Sequence, residues 1–473
     1  MFDLQGFRVR LGRFLQAHWL ICGVLAAATL ARTIAVLGYR PGLWYPDSTP
    51  YIQDALHLAP NAIRPVGYSF LLWLLVFAHS VLFVIIVQHI MGLATGTLVY
   101  SLLRRHRLPA WGSAMAAVPA LMSAYAIQIE HYVLADALFG LLVMVGLALM
   151  LWRPRPHIWV CGIAGLLLAL AALARSQGML LAVPFVLYLA VARLGLRRFL
   201  ASAAVLSVSF LIPVIAYCGW FNQTLGSFEI TTSTGAFLYS RVAAFAQCSV
   251  DKPPAAERWL CISAPPGDRQ SENWYVWAPQ SPLAHGPQWE FSNEVNHLAT
   301  GFALRAMLAQ PGAYLRVVWD STAETFLPEP ATNHSQDLYK FPAAEPKSLD
   351  VLTKRNAESP AYGYAYNGGA DPSTTLTQPF ANWMRVYQRY VTVPGPLIAC
   401  IVLVGLVGAV LARRRGGPTW LAWVTGVVLI VTPAATADYD ARYVVASIPV
   451  FCVAAALAIR EIDYRARAGR MAG

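Results

Sequence analysis

The chain of 473 residues has little charge and almost no lysine. Only 12% of its residues are charged, about half the share usual in soluble proteins, whereas 57% are hydrophobic. This composition excludes an ordinary soluble domain, a disordered chain and a nucleic-acid-binding protein. Seven cysteines in this length exclude a disulfide-scaffold protein. No spacing in the chain is typical of a zinc site.

Long apolar runs predict an all-α polytopic membrane protein with about ten transmembrane helices. Each run has roughly the length that a helix needs to cross the hydrocarbon core. The runs are residues 19–36, 81–103, 111–127, 133–152, 158–173, 179–192, 199–221, 394–411, 420–431 and 443–459. The apolar stretch 67–78 is too short to span, and we expect an interfacial or re-entrant helix there, in the first outer loop.

The arginines predict the orientation in the membrane. Outside residues 222–392 the chain has 23 Arg and no Lys, and 18 of these Arg lie before the first predicted span or after every second one. Arg413 to Arg415 form one such cluster. Cytoplasmic loops collect positive charge, so we expect both termini in the cytoplasm. Many Arg, Ala and Val beside few Lys are typical of a bacterial genome of high GC content, which favours a bacterial plasma (inner) membrane.

Three regions are predicted. Residues 1–221 form an N-terminal transmembrane module of about seven spans, with the first outer loop at 37–80. Residues 222–392 hold 12 basic and 15 acidic residues and all four Lys, and we expect a mixed, folded extracytoplasmic domain there. Cys248 and Cys261 are its only cysteines, and a disulfide is expected between them. Residues 393–473 form a C-terminal module of about three spans with a basic cytoplasmic tail.

Eleven charged residues remain at predicted outer loops and outer helix ends. They are Arg32, Arg40, Arg64, Arg175, Arg442, Asp47, Asp54, Glu130, Asp136, Asp438 and Asp440. Ionisable groups at such depths either pair with one another or serve a function. A water-facing rim of salt bridges is the simpler interpretation for any one of them.

Asp47 is the candidate general base. It follows a Pro among aromatic residues at the membrane surface, where desolvation raises the basicity of a carboxylate. Capping of the following helix explains an Asp before Ser-Thr-Pro equally well, so both roles stay open. Arg64, at the start of the interfacial helix, and Arg175 and Arg442, at outer helix ends, are candidates for binding a lipid-linked phosphate.

Four short motifs together resemble the GT-C membrane glycosyltransferases. They are an outer-loop Asp after the first span, the Arg-Pro-x-Gly-Tyr turn at 64–68, the Leu-Ala-Asp-Ala-Leu-Phe run at 134–139 and the Arg-Tyr pair at 442–443. The chain is most similar to the bacterial family-39 type, relatives of protein O-mannosyltransferases and of the aminoarabinose transferase. The resemblance covers mainly residues 10–200 and 394–460.

The resemblance implies a GT-C-like fold and an inverting transfer of a sugar from a polyprenyl-phosphate-linked donor to an acceptor hydroxyl. It assigns the general base to Asp47, a further catalytic acid to Asp136, and the donor phosphate contacts to Arg64, Arg442 and Arg175. The acceptor or supporting residues it suggests are Asp54, Glu130 and His131. The implied partners are the lipid-linked donor, membrane lipids and a cell-envelope glycan, lipid or protein acceptor.

Two departures from the family pattern limit what carries over. Family members often have an Asp-Glu pair in the first loop, whereas Asp47 is followed by Ser48. No metal ligand is therefore assigned, although a divalent metal stays possible. The large outer segment lies between predicted spans seven and eight, so the acceptor does not carry over. An O-antigen-type ligase or polymerase and a lipid-linked sugar transporter or flippase are the alternative functions.

Overall fold

The computed structural model describes residues 4–328, 340–344, 359–412 and 417–470. The predicted cluster Arg413 to Arg415 lies outside these residues. Within the described ranges the chain is almost entirely helical, and its β-structure there consists of one pair of two-residue strands and one isolated bridge.

The helices follow one another with mostly short connections. The α-helices are α1 (Leu4–Gly38), α2 (Ser48–His57), α3 (Gly67–Leu75), α4 (Val81–Arg105), α5 (Ala110–Met122), α6 (Ala124–His131), α7 (Asp136–Leu151), α8 (Ile158–Ala174), α9 (Ala182–Val191), α10 (Leu196–Leu225), α11 (Thr234–Ala243), α12 (Cys248–Asp251), α13 (Glu272–Trp277), α14 (Asn293–Ala309), α15 (Pro311–Glu324), α16 (Ser359–Tyr366), α17 (Phe380–Tyr390), α18 (Gly395–Ala412), α19 (Pro418–Thr436), α20 (Ala441–Val445) and α21 (Ser447–Arg470). Short 3₁₀ helices lie at Val76–Ala78, Ser176–Leu181, Ala255–Leu260, Pro266–Asp268 and Pro282–His285. The strands are β1 (Tyr39–Arg40) and β2 (Thr375–Leu376).

The chain is a multi-pass membrane protein. In the described part, five helical segments are long and apolar enough to cross a membrane, or up to seven if each of two bent pairs is one span. The five segments are Gln16–Gly38, Val81–Arg105, Leu196–Leu225, Pro418–Thr436 and Ala441–Asp463. The bent pairs are Ala110–Met122 with Ala124–His131, and Phe380–Tyr390 with Gly395–Val410.

The predicted number of about ten spans is not confirmed. Every predicted run coincides with a helix, but the apolar helices Asp136–Leu151, Ile158–Ala174 and Ser176–Val191 have at most 17 residues. At about 1.5 Å per residue, 17 residues reach roughly 25 Å, which is less than the thickness of the hydrocarbon core. Apolar residues in the turns lengthen these runs in the sequence without lengthening the helices. A short helical segment, Gly67–Ala78, lies where the interfacial helix was expected.

Small residues let the membrane helices approach closely. A Cβ atom at Gly165 in α8 would overlap the backbone carbonyl of Leu206 in α10. A Cβ atom at Gly408 in α18 would likewise overlap Ala458 in α21. Close backbone approach of this kind is how helices associate in lipid, where no hydrophobic effect drives them together. These glycines set the distances between the helices that carry the site.

In the described part of the outer segment, residues 222–392, the regular elements are helices, apart from strand β2, and turns and irregular stretches connect them. The expected mixed domain is therefore not confirmed. Its core is formed by aromatic and small side chains from α11, α13 and α14, among them Tyr239 and Phe302. A disulfide joins Cys248 to Cys261. Many short helices, separated by turns, make up the described part of this segment.

The outer segment folds back onto the first outer loop. Strand β1 pairs antiparallel with β2, with Tyr39 opposite Leu376. Beyond β1, the Leu43 N–H donates to the His131 carbonyl at 2.8 Å. The loop is thus held on both sides before it reaches Asp47.

Candidate active site

Asp47 lies at the end of this loop, directly before α2. The Ser48 N–H donates to the Tyr45 carbonyl at 2.8 Å, and the Tyr45 N–H donates to Ser48 Oγ at 2.9 Å. These two bonds close the turn without using the Asp47 side chain. That side chain makes no capping hydrogen bond to the helix, so capping does not explain why an Asp occupies this position.

Two arginines distant in sequence hold the Asp47 carboxylate. Arg64 Nη2 donates to Oδ1 at 2.5 Å, and Arg442 Nη1 donates to Oδ2 at 2.9 Å. The three side chains are between 12% and 14% exposed, so water screens the contacts only weakly. Arg442 also forms an ion pair with Asp440, with Nε 3.2 Å from Oδ2. The contact between Asp47 and Arg442 joins the first outer loop to the start of the last span.

Tyrosine rings lie against the guanidinium groups. The Arg442 Cζ is 4.7 Å from the ring centroid of Tyr45 and 5.3 Å from that of Tyr443. The Arg175 Cζ is 4.8 Å from the Tyr443 centroid. A cation over an aromatic ring is attracted by the ring face. Tyr443 therefore brings Arg175 and Arg442 to the same place.

The arginines control the acidity of Asp47. Burial by itself raises the pKa of this carboxyl, but the charges of Arg64 and Arg442 and their hydrogen bonds outweigh it and hold the pKa well below its usual range. The carboxylate is thus ionised but weakly basic while both arginines contact it. The expectation that desolvation makes Asp47 more basic is wrong for this state, because it left out two cations that only folding brings near.

Asp136 and Arg175 form a second buried ion pair. Arg175 Nη1 donates to Asp136 Oδ1, and the two side chains are 11% and 6% exposed. Asp136 begins α7, and Arg175 directly follows the end of α8. Within the described residues the other carboxylate oxygen of Asp136 has no hydrogen-bond partner. The pair fixes where the Arg175 guanidinium points.

A cavity of about 1030 Å³ joins the charged groups. Asp47, Arg64, Arg175 and Arg442 all line it, together with Asp440. The volume lies at the upper end of the roughly 300–1,000 Å³ typical of small-molecule sites. The candidate base and the three candidate phosphate-binding arginines therefore share one cavity. Asp136 is not part of the lining and reaches the cavity only through Arg175.

Glu130 and His131 belong to a separate buried network. Arg32 donates from Nε and Nη2 to the two carboxylate oxygens of Glu130, each at 2.8 Å. His89 lies 2.9 Å from Glu130 and 3.0 Å from His131, whose Nε2 is 2.8 Å from the Tyr39 carbonyl oxygen. None of these five residues lines the large cavity. The network instead ties the beginning of the first outer loop to α1, α4 and α6.

Asp54 also lies away from the cavity lining. It is 7% exposed, and its Oδ1 accepts a hydrogen bond from Asn61 Nδ2 at 3.1 Å. Burial raises the pKa of Asp54 to about 6, although Asn61 and the charge of Arg64 oppose the shift. Its position supports the turn between α2 and Arg64, which keeps Arg64 directed toward Asp47.

The arrangement around Asp47 does not suit a divalent cation. Such ions require several oxygen ligands, whereas both Asp47 oxygens accept hydrogen bonds from arginines. Arg175 adds a third positive charge to the cavity lining. In the described ranges no group of three or more His, Cys, Asp or Glu side chains is placed to bind a metal ion.

Sequence reasoning missed several residues of the cavity. Tyr443 belongs to the Arg-Tyr pair at 442–443, and Tyr45 lies two residues before Asp47. Their arginine contacts depend on neighbours that only the fold supplies. Residues of the outer segment, among them Trp277 and Trp289, also line the cavity. No periodic pattern marks them, because they come from short helices and turns.

Comparison with known proteins identifies no family. No protein-family model and no curated protein matches the chain. Two solved structures of an archaeal oligosaccharyltransferase, from Archaeoglobus fulgidus, are similar at a TM-score of 0.44. One, tethered to an acceptor peptide with an NVT sequon, is 13% identical over 94% of this chain and 50% of that one. The other, the apo form, is 12% identical over 95% and 52%.

The chain thus spans about half the length of the oligosaccharyltransferase that it resembles. A superposition of this quality, at this identity, carries no conclusion about a shared fold or activity. What the site does has to be inferred from its own geometry.

Proposed function

We propose that the chain is an integral-membrane glycosyltransferase that transfers a sugar from a polyprenyl-phosphate-linked donor to an acceptor hydroxyl. The observation that supports this most directly is the Asp47 carboxylate held between Arg64 and Arg442 on the lining of the large cavity. An anion already occupies both guanidinium groups. A phosphate presents the same charge and the same type of acceptor oxygens.

The donor phosphate takes over the arginines from Asp47. Arginine binds phosphate through paired N–H groups in one plane, and Arg64, Arg175 and Arg442 line one cavity. Once the phosphate accepts their hydrogen bonds, the cations no longer depress the pKa of Asp47. Asp47 then becomes the stronger base that proton abstraction needs. Binding of the donor thereby prepares the base.

Transfer is a single displacement. Asp47 takes the proton from the acceptor hydroxyl as its oxygen bonds to the anomeric carbon, and the bond from that carbon to the phosphate oxygen breaks. The polyprenyl phosphate leaves with the bonding electron pair, and the arginines stabilise the charge that develops on it. The configuration of the anomeric carbon is inverted.

The other predicted site residues act through these groups. Asp136 orients Arg175, and Asp54 supports the turn that leads to Arg64. Glu130 and His131 hold the first outer loop at Tyr39. In this proposal they are positioning residues, since none of the four lines the cavity.

The reaction takes place on the extracytoplasmic face. The arginine clusters of the sequence predict that both termini lie in the cytoplasm. With about ten spans, the first outer loop and the start of the last span then lie on the opposite side. Asp47 and Arg442 belong to these two segments. The cavity then lies at the height where a lipid phosphate is found.

The test uses the full chain in lipid nanodiscs with radiolabelled polyprenyl-phosphate hexose and pentose donors and an envelope extract as acceptor. We expect Asp47→Asn to abolish sugar transfer while the protein inserts and elutes as the wild type does. Asp268→Asn makes the same charge change on an exposed turn of the outer segment and serves as the matched control. It should transfer sugar at the wild-type rate.

The opposite result contradicts the assignment. Full transfer by Asp47→Asn, with loss of transfer in Arg64→Ala and Arg442→Ala, favours a ligase or polymerase that does not need the carboxylate. Movement of labelled lipid across liposomes by the wild type, without any product, favours a transporter.

A further inference from the structure

The large cavity has a second wall that the donor does not use. It comes from the outer segment and contains Trp277 and Trp289, with Asn273 and Glu290 beside them. Trp289 is 54% exposed although it is a large apolar side chain. An exposed indole on the lining of a cavity is typical of a site that binds a ligand with an apolar face.

The two indoles are held in a rigid arrangement. Phe291, which is 1% exposed, packs its ring centroid 5.3 Å from that of Trp289 and 5.4 Å from that of Trp277. The Ser292 N–H donates to the Trp289 carbonyl at 2.8 Å, which closes the turn before α14. The aromatic surface is therefore formed before any ligand arrives, and little ordering is needed on binding.

This wall is also fixed to the membrane part that carries Arg442. Arg241, 1% exposed, forms an ion pair with Glu272 at the start of α13. The same guanidinium donates to the Ala434 carbonyl near the end of α19 at 3.4 Å. Asn273 and Trp277 are four residues apart on α13, so they lie on the same helix face. Arg241 thus joins the helix of the aromatic wall to α19, the helix that precedes Arg442.

Indole rings combined with amide and carboxylate groups fit the chemistry of a sugar ring. A pyranose has a face of C–H groups that stacks on an aromatic ring, and hydroxyl groups at its edge that exchange hydrogen bonds with Asn and Glu side chains. A peptide acceptor that bound by adding a strand to a sheet would instead need an exposed strand edge. Among the described residues, the strands are the two-residue pair β1 and β2.

We propose that the wall formed by Trp277, Trp289, Asn273 and Glu290 is an acceptor subsite that binds a pyranose ring, so that the acceptor is a glycan. This inference rests on the proposed glycosyl transfer. It assigns the donor phosphate to the arginine wall and the acceptor sugar to the aromatic wall, with Asp47 in the same cavity. The volume of about 1030 Å³ exceeds what one sugar phosphate needs.

The experiment measures binding of simple pyranosides to the full chain in nanodiscs by saturation-transfer NMR. The probes are the methyl glycosides of glucose, mannose and galactose, with a neutral serine-containing tripeptide as the peptide probe. We expect at least one glycoside to receive saturation on its C–H face and the tripeptide to receive none. Trp289→Ala should weaken binding of that glycoside about tenfold, the size of one aromatic stacking contact, and Trp289→Phe should retain most of it.

Two control variants separate this proposal from the proposed function. Trp319→Ala removes an indole that is 71% exposed on α15 and does not line the cavity, and it should bind the glycoside as the wild type does. Asp47→Asn should also bind it, because the stacking does not involve the base. If no glycoside binds, if Trp289→Ala binds it unchanged, or if the tripeptide binds instead, the subsite is refuted. Glycosyl transfer can still stand in each of those cases.

Discussion

In the proposed function the donor phosphate competes with the Asp47 carboxylate for Arg64 and Arg442, so loss of this carboxylate changes phosphate affinity directly. Here Asp47 occupies the same N–H groups that the donor phosphate needs. We predict that Asp47→Asn, which abolishes transfer, binds phosphate more tightly than the wild type.

The magnitude follows from the two hydrogen bonds. Each joins charged groups and contributes about 1.5–3 kcal/mol, and exposures of 12–14% leave little solvent screening. If phosphate has to displace the carboxylate from only one arginine, removal of the carboxylate tightens phosphate binding about tenfold. Displacement from both raises the factor to roughly a hundred.

The assay is calorimetric titration of the full chain in nanodiscs with methyl phosphate, which carries the donor's phosphate group without its lipid. Asp268→Asn is the matched control, because it makes the same change of net charge at an exposed residue that does not line the cavity. An affinity of Asp47→Asn for methyl phosphate equal to or weaker than that of the wild type would refute the exchange. Equal gains in Asp47→Asn and Asp268→Asn would show only a general charge effect, and would refute it as well.

Two further predictions concern residues that support the site. The pKa of Asp54 is raised in the folded state to about 6, so its contribution to stability is present below about pH 4 and is lost as the pH rises through 6. Asp54→Asn should therefore become more stable than the wild type as the pH rises from 4 to 6, and the difference should level off at about 3 kcal/mol above pH 6. Thermal unfolding at a series of pH values measures this difference, and a difference that does not change with pH would contradict the prediction. Gly92→Ala places a methyl group onto the Glu130 carboxylate and should cost about 1–3 kcal/mol of stability. Gly219→Ala, with open space around it, is the control, and equal melting temperatures of the two variants would contradict the clash.

Much of the membrane architecture was accessible from the sequence. Every long apolar run became a helix, because a chain in lipid has to satisfy its backbone hydrogen bonds within itself. The number of about ten spans stays a prediction: five to seven segments of the described residues are long and apolar enough to cross, and composition does not distinguish apolar turn residues from helix residues. The outer segment was harder, since its short helices follow no regular period and its core residues come from distant positions.

The membership of the site was partly accessible as well. Asp47, Arg64, Arg175 and Arg442 stood out because charge is rare in outer loops of this chain, and charge that remains there has to be paired or used. Asp54 and Glu130 stood out for the same reason, and His131 was suggested by the family resemblance, yet the structure places all three away from the cavity lining. Residue type and predicted side of the membrane do not distinguish a residue that lines the cavity from one that holds a loop.

The sequence by itself determined that the chain is helical and crosses a membrane several times, and it predicted that an unusual set of charges lies on one side. These properties follow from local composition, because a membrane requires long apolar helices and cytoplasmic loops collect positive charge. Only the tertiary structure decided which charges meet. Asp47 and Arg442 are 395 residues apart in the sequence, yet their side chains are 2.9 Å apart. This contact, together with that of Arg64, holds the pKa of the Asp47 carboxyl below its usual range.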